Sequence, residues 1–198
     1  MTIAAAIILL ASAVALVVAA SQPQLFPIWM RREVDTLGLV RERLGLWLVN
    51  SRLFLASAIG TAVGAGLLFG GIDGPGAPLA STALLMLAIG TALWCVNVAF
   101  RVSTTAAAAR DFTDTPPWYP YLVRLSVAVW ETAAIFLGLA LIAIGLLIVL
   151  FGVLPAWSGW TTLAFGALQF GTLVVTRDAP PLLFYSMPAV WGVAALMA

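Results

Sequence analysis

The acidic residue best suited to chemistry is Glu131, because it lies within a long apolar segment. It belongs to a stripe of residues spaced by seven, and seven residues bring a helix almost back to the same face. The members of the stripe are Arg124, Glu131, Gly138, Gly145 and Gly152. Because glycine on a membrane helix marks a face where another backbone comes close, we expect Glu131 to face protein rather than lipid.

A second stripe, on the preceding apolar segment, offers polar partners at the same depth. Ala83, Gly90 and Asn97 are also spaced by seven, and Arg101 lies one turn beyond Asn97. A charged group at the middle of a bilayer costs about 2.5–3.5 kcal/mol, so a submerged carboxylate needs a partner. We predict that Glu131 accepts hydrogen bonds from Asn97, Arg101 or both. The favoured interpretation is an ion pair that locks two helices together, and the alternative is a titrating carboxylate in a cavity.

Further polar and small residues extend this candidate cluster. Gln169 lies near the middle of another apolar segment, where it predicts an interhelical hydrogen bond or, alternatively, the lining of a cavity. The candidate ligand-binding or structural cluster is Asn97, Arg101, Arg124, Glu131 and Gln169. Small residues four positions apart let helices approach closely, and we expect them to serve packing within the bundle. The predicted packing residues are Gly60, Gly64, Gly90, Gly138, Gly145 and Gly152.

The composition excludes several classes of chemistry. The 198 residues are 63% hydrophobic and 9% charged, whereas soluble domains carry about 25% charged residues. The chain is therefore predicted to be an integral membrane protein. It contains one Cys, no His and no Lys, which excludes a Schiff-base lysine, a histidine-ligated haem or zinc, a Ser-His-Asp triad and a thiolate metal cluster. We predict no metal and no cofactor, and the lack of a basic stripe argues against nucleic acid.

Six apolar segments are candidates for membrane-spanning helices, which need about 20 residues each. They cover residues 3–20, 52–70, 79–100, 125–154, 157–176 and 182–197. The first segment has no positive charge and so lacks the basic region of a signal peptide, and we interpret it as a true span. The sixth is short and contains Pro188. The predicted fold is a single all-α transmembrane domain over residues 1–198.

The distribution of arginine between the loops predicts the orientation of this bundle. Arginine lies before or at the start of the second span, between the third and fourth spans, and after the fifth, as Arg31, Arg32, Arg41, Arg43, Arg52, Arg101, Arg110, Arg124 and Arg177. The connections at residues 71–78 and 155–159 contain none. Because cytoplasmic loops are enriched in Lys and Arg, we predict that both termini lie on the outer side of the plasma membrane.

Two inner segments have features of structure at the membrane surface. Residues 33–49 place apolar side chains on one helical face, which predicts an amphipathic helix in the interface or, with nearly equal weight, an extension of the second span. Residues 103–120 are rich in Ala, Thr and Pro and are expected to form a loop. Trp118 and Tyr119, which lie among prolines, are expected to anchor the fourth helix at the headgroup level.

The last quarter of the chain carries motifs at its turns. These are LPAWSGW at residues 154–160 and DAPPLLFY at residues 178–185, followed by Gly192. In these motifs the chain resembles the C-terminal helical hairpin of uncharacterised multi-pass membrane proteins from high-GC, actinobacterial-type bacteria. The resemblance implies a bacterial six-helix protein, and it transfers no active-site residue.

Three function classes fit the sequence. The favoured one is a non-catalytic membrane module, an accessory or structural subunit of a larger assembly or a homo-oligomer, because polar groups are scarce. The second is a binder or carrier of a hydrophobic small molecule or lipid in a cavity on the cytoplasmic side. We expect that cavity to be lined by Asn97, Glu131, Gln169, Trp94 and Trp130. The third is a small enzyme in which Glu131 protonates an apolar substrate, as terpenoid cyclases and isomerases do.

Overall fold

The computed structural model describes residues 2–30, 35–176 and 180–198. The structure is 88% helical, and the described residues contain no strand. In chain order the helices are α1 (Thr2–Ala20), α2 (Phe26–Met30), α3 (Thr36–Glu42), α4 (Leu44–Phe69), α5 (Ala77–Phe100), α6 (Ala106–Asp111), α7 (Tyr119–Phe151), α8 (Ala156–Thr176), α9 (Pro181–Tyr185) and α10 (Met187–Met197). Of the residues that the sequence analysis used, Arg31, Arg32, Arg177 and Asp178 lie outside the described ranges.

Four helical segments in the described ranges are long and apolar enough to cross a membrane. They are α1, α4, α7 and the 38-residue segment Gly74–Asp111, which includes α5. The chain is therefore an all-α protein with the properties of a helical membrane protein. The predicted fifth and sixth spans do not reach the same standard. α8 carries Gln169 together with several Ser and Thr residues, and the apolar segment Pro181–Met197 is shorter than the roughly 20 residues that a bilayer requires.

The long helices form a closed ring. α1 packs on α4, α4 on α5, α5 on α7 and α7 on α8, and α10 closes the ring by packing on both α8 and α1. Buried apolar side chains fill the core, among them Leu87, Leu137 and Trp191. The Trp191 Nε1 group donates a hydrogen bond to Thr162 Oγ1 at 2.9 Å, which ties α10 to α8.

Glycine permits the closest helix contacts in this ring. Gly60 and Gly64 face α1, and Gly90 of α5 faces Leu137 of α7. A Cβ atom on Gly90 would lie 2.7 Å from Leu137 Cγ, which is closer than carbon atoms pack. The two helices can approach this far only because position 90 has no side chain.

The glycine stripe of α7 faces α8. Gly138 lies against Phe170, and Gly145 lies against Leu163. Gly152 differs from the prediction, because it ends α7 instead of packing against a helix. Its φ of +65° is left-handed, and its N–H donates to Ile148 O at 2.9 Å. Such a C-terminal cap favours glycine because a Cβ atom would strain the left-handed backbone.

The segment that was predicted as one amphipathic helix is divided at Arg43. Thr36–Glu42 forms the separate helix α3, in which the Asp35 carboxylate accepts a hydrogen bond from Gly38 N at 2.9 Å. From Leu44 onward the chain belongs to α4. The extension of the second span therefore accounts for residues 44–49 and not for α3.

The predicted loop at residues 103–120 is helical as far as Asp111, so the prediction was wrong there. α5 continues through a π-helical turn, Arg101–Thr105, into α6. Residues 106–109 are all alanine, which has the highest helix propensity. Tyr119 is buried and stacks on Phe100 with ring centroids 6.1 Å apart, so its ring packs against the protein.

Candidate functional site

A cavity of about 610 Å³ lies in the half of the ring where α1 and α5 end and α4 and α7 begin. Its walls come from these four helices, from α2 and from the start of α9. Aromatic side chains form much of the lining, namely Phe26, Phe54, Trp94 and Trp130. Among the described lining residues, the side chains of Asn97 and Arg101 are the polar ones besides the indole groups. The space is therefore apolar, with a few hydrogen-bonding groups at its edge.

The Arg101 guanidinium is held at the cavity wall by neutral groups. Its Nη2 atom donates to Asn50 Oδ1 at 3.0 Å, and its Cζ atom lies 4.4 Å from the ring centroid of Trp47 and 5.4 Å from that of Phe54. Aromatic faces attract a cation at these distances. Its Nε atom is buried without a hydrogen-bond partner in the described part of the chain. The ion pair among the described residues does not involve Arg101, because it joins Arg110 to Asp111.

Asn50 positions Arg101 by joining three elements. It is completely buried, and its Nδ2 atom donates to Ala19 O at 2.8 Å and to Gln22 Oε1 at 3.1 Å. The neighbouring Trp47 donates from Nε1 to the Arg101 carbonyl at 2.9 Å. That carbonyl belongs to the π-helical turn, and such turns interrupt the regular backbone pattern and are frequent at functional sites.

An aromatic cluster forms the inner part of the cavity. The rings of Trp94 and Trp130 are 4.5 Å apart, and Trp94 is also 6.0 Å from Tyr185. Trp94 is 3% exposed. Its Nε1 atom and the hydroxyl of Tyr185 are both buried without a hydrogen-bond partner among the described residues. A buried donor without an acceptor is costly, so the Trp94 indole, which lines the cavity, is a candidate for contact with a bound molecule.

The structure does not form the predicted hydrogen bonds between Glu131 and its two candidate donors. Asn97 Nδ2 donates instead to Ser126 O at 2.8 Å and to Ser126 Oγ at 2.9 Å, and Arg101 donates to Asn50. The physical reason is the rotation of α7. Ser126 and Leu137 are eleven residues apart, about three turns, so they share the face toward α5. Glu131 belongs instead to the glycine stripe, which faces α8.

Three members of the predicted cluster do not line the cavity. Gln169 is 1% exposed and donates from Nε2 to Ala134 O at 2.6 Å, which is a hydrogen bond between α8 and α7. Arg124 is exposed and lies 5.9 Å from the ring of Tyr121. Glu131 is half-buried. The cavity therefore brings together Asn97 and Arg101 only.

The sequence analysis missed Asn50, Trp47 and Phe54. They fell at the boundary between the expected surface helix and the expected second span. A signal was present, because their spacing of three and four residues places them on one face of a continuous helix.

No protein-family model, no curated protein and no solved structure matches this chain.

Proposed function

We propose that the protein binds an apolar molecule, a lipid or another hydrophobic compound, in the cavity between α1, α4, α5 and α7. The observation that carries this proposal is the cavity itself, about 610 Å³ of space walled by aromatic and aliphatic side chains. Small-molecule sites are typically apolar spaces of roughly 300–1,000 Å³ in which a few polar groups orient the ligand. Of the residues expected to line such a cavity, Asn97, Trp94 and Trp130 do so.

The proposed setting is the plasma membrane of a bacterium, crossed six times with residues 2 and 198 on the outer side. The antiparallel packing of α10 on α1 supports an even number of crossings. Gly192 faces Leu10, whereas the residues just before α10 line the cavity together with Leu16 and Ala20 at the other end of α1. The charge distribution supports the orientation. The described arginines all lie in the half of the bundle that contains the cavity, at positions 41, 43, 52, 101, 110 and 124, and the positive-inside rule assigns that half to the cytoplasm.

The other two function classes have less support from the geometry. A carboxylate-dependent enzyme would need Glu131 beside its substrate, and Glu131 is absent from the described cavity lining. The hypothesis of an accessory subunit or homo-oligomer does not account for an open aromatic space inside one chain. It predicts instead that partner chains accompany the protein and that the cavity stays empty.

The test is native mass spectrometry of the protein extracted with its membrane lipids. The wild-type protein is expected to retain one apolar molecule. Val127→Trp should abolish this retention, because Val127 lines the cavity and a larger side chain fills it. Val174→Trp is the matched control, since Val174 is 79% exposed and does not line the cavity. Glu131→Gln should retain the molecule like the wild type.

Three results would count against binding of an apolar molecule in this cavity. A wild-type protein that carries no apolar molecule, and takes up none from added lipid, would refute the proposal. Equal retention by Val127→Trp and Val174→Trp would indicate that the molecule binds on the outer surface of the bundle. Stoichiometric partner chains with an empty cavity would favour the accessory-subunit hypothesis.

A further inference from the structure

We propose that the ligand of this cavity is an anion with an apolar chain, and that Arg101 binds its phosphate or carboxylate group. The inference rests on the proposed function and adds the chemical class of the ligand. Among the described residues, the lining of the cavity carries a positive charge, that of Arg101. Arginine keeps its positive charge in proteins, and among the described lining residues there is no carboxylate.

The contacts of Arg101 leave its charge without a counter-ion in the described part of the chain. Its Nη2 atom has a neutral acceptor, Asn50 Oδ1, at 3.0 Å, and the rings of Trp47 and Phe54 cover its faces. The buried Nε atom has no acceptor there. An isolated charge in an apolar site is unfavourable unless an opposite charge joins it. Phosphate and carboxylate groups match the fork of guanidinium donors better than any neutral group does.

The position of Arg101 defines how an amphipathic ligand would lie. Arg101 follows the last residue of α5, at the end of the bundle where the described arginines collect. Trp94 lies seven residues deeper on α5, which is about 10 Å along the helix. A headgroup at Arg101 therefore directs its chain toward the paired rings of Trp94 and Trp130, whose centroids are 4.5 Å apart. The polar and apolar ends of the cavity thus match the two ends of one lipid.

The experiment compares lipids that have the same chains and differ in whether they carry an anionic group. The purified protein is placed in phosphatidylcholine nanodiscs that contain equal small fractions of phosphatidic acid and diacylglycerol with identical chains. Native mass spectrometry then counts each lipid bound to the protein. Charge-assisted hydrogen bonds support a preference of about tenfold or more for the anionic lipid in the wild-type protein. Oleate and oleyl alcohol form a second pair that replaces phosphate by carboxylate.

Three variants assign the preference to Arg101. Arg101→Gln should bind both lipids about equally, and Arg101→Lys, which restores the charge, should recover a preference for the anion. Arg124→Gln is the matched control, because Arg124 is an exposed arginine at the same end of the bundle and does not line the cavity. It should keep the wild-type preference. Competition by added inorganic phosphate would show that the phosphate group itself is recognised, and it would support Arg101 as the binding group.

The outcomes separate this inference from the function on which it rests. Equal binding of the anionic and the neutral lipid by the wild-type protein would overturn the inference and leave the proposed function intact. A preference that survives in Arg101→Gln but is lost in Arg124→Gln would overturn it as well, because the charge recognised would then lie on the surface. Failure to bind either lipid would refute the proposed function itself. If Arg101→Gln does not fold, equal binding of the two lipids by the wild-type protein still overturns the inference, and Arg101→Lys and Arg124→Gln still test whether the preference depends on the charge at position 101.

Discussion

Asn50 links three parts of the candidate site through a single buried amide. Its two donated hydrogen bonds reach Ala19 at the end of α1 and Gln22 beyond it, and its oxygen accepts from Arg101. All three partners are distant in sequence from α4. A side chain with both a donor and an acceptor is required here, because the peptide carbonyl needs a donor and the guanidinium needs an acceptor.

Replacement of Asn50 by Leu is expected to destabilise the bundle. Leu has a similar size but no hydrogen-bonding atoms, so the buried carbonyl and the guanidinium both lose their partner. Leaving a buried polar group unsatisfied costs about 1–3 kcal/mol, and more for a charged one. SDS-induced unfolding in mixed micelles measures the change in the free energy of unfolding.

The adjacent residue provides the control for this prediction. Ser51 is also completely buried, but its hydroxyl has no hydrogen-bond partner among the described residues. Ser51→Ala should therefore change the stability little. If Asn50→Leu were as stable as Ser51→Ala, the amide would not be holding the end of α1, α4 and Arg101 together.

At the scale of elements, the contact between α5 and α7 determines where the cavity lies. Gly90 meets Leu137 in the middle of this contact. Nearer the cavity, Asn97 bonds to Ser126 of α7. These two contacts set the distance between the helices and hence the space beside Trp94 and Trp130. The depth of the cavity therefore depends on Gly90, which does not line it.

Addition of one methyl group at Gly90 is expected to disturb this contact. In Gly90→Ala the new Cβ would lie 2.7 Å from Leu137 Cγ and 3.1 Å from Leu137 N. Because the backbone is included, the helices must move apart, and overpacking of this kind costs about 1–3 kcal/mol. The measurement is the midpoint of SDS-induced unfolding, together with the retention of bound lipid.

Gly66→Ala serves as the control for the helix propensity of alanine. No atom lies within 4 Å of a Cβ atom built on Gly66, so this variant should be neutral or stabilised by up to about 1 kcal/mol. If Gly90→Ala were stabilised as much as Gly66→Ala, α5 and α7 would not be in close contact at this point.

At the scale of the whole molecule, the distribution of charge separates the two ends of the bundle. The end that contains the cavity carries the described arginines, whereas the described connection around Gly74 carries Asp73 and no arginine. This asymmetry, together with the antiparallel packing of α10 on α1, leads to the proposed orientation. In this proposed orientation the anion site would be accessible from the cytoplasmic leaflet.

Cysteine labelling can test this topology directly. Cys95 is the sole cysteine, so a Cys95→Ala background accepts single new cysteines at Asp73 and at Thr115. Asp73 is exposed and is preferred to its neighbour Gly74, which has a left-handed φ of +72°. In intact cells a membrane-impermeant maleimide should label Asp73→Cys and leave Thr115→Cys unlabelled until the cells are opened. The reverse pattern would invert the orientation, and labelling of both positions in intact cells would contradict a crossing between them.

Several features of this protein follow from the sequence by itself. The membrane class, the bounds of α1, α5 and α8 to within two residues and the end that collects arginine depend on local composition and hydropathy, whereas α4 and α7 begin well before the apolar segments that predicted them. A helix of apolar residues forms wherever the chain offers about 20 of them, whichever neighbours it later meets. For the same reason the sequence identified Asn97 and Arg101 as polar groups at one depth.

The partners of those groups were decided by the tertiary structure alone. The spacing by seven shows that Glu131, Gly138 and Gly145 share a face, but a glycine stripe accepts any neighbouring helix, and here that neighbour is α8 instead of α5. The bond from Arg101 to Asn50 joins residues 51 positions apart. Such pairings depend on how each helix is rotated about its axis when the ring closes. That rotation results from the packing of all the helices together, and no single segment encodes it.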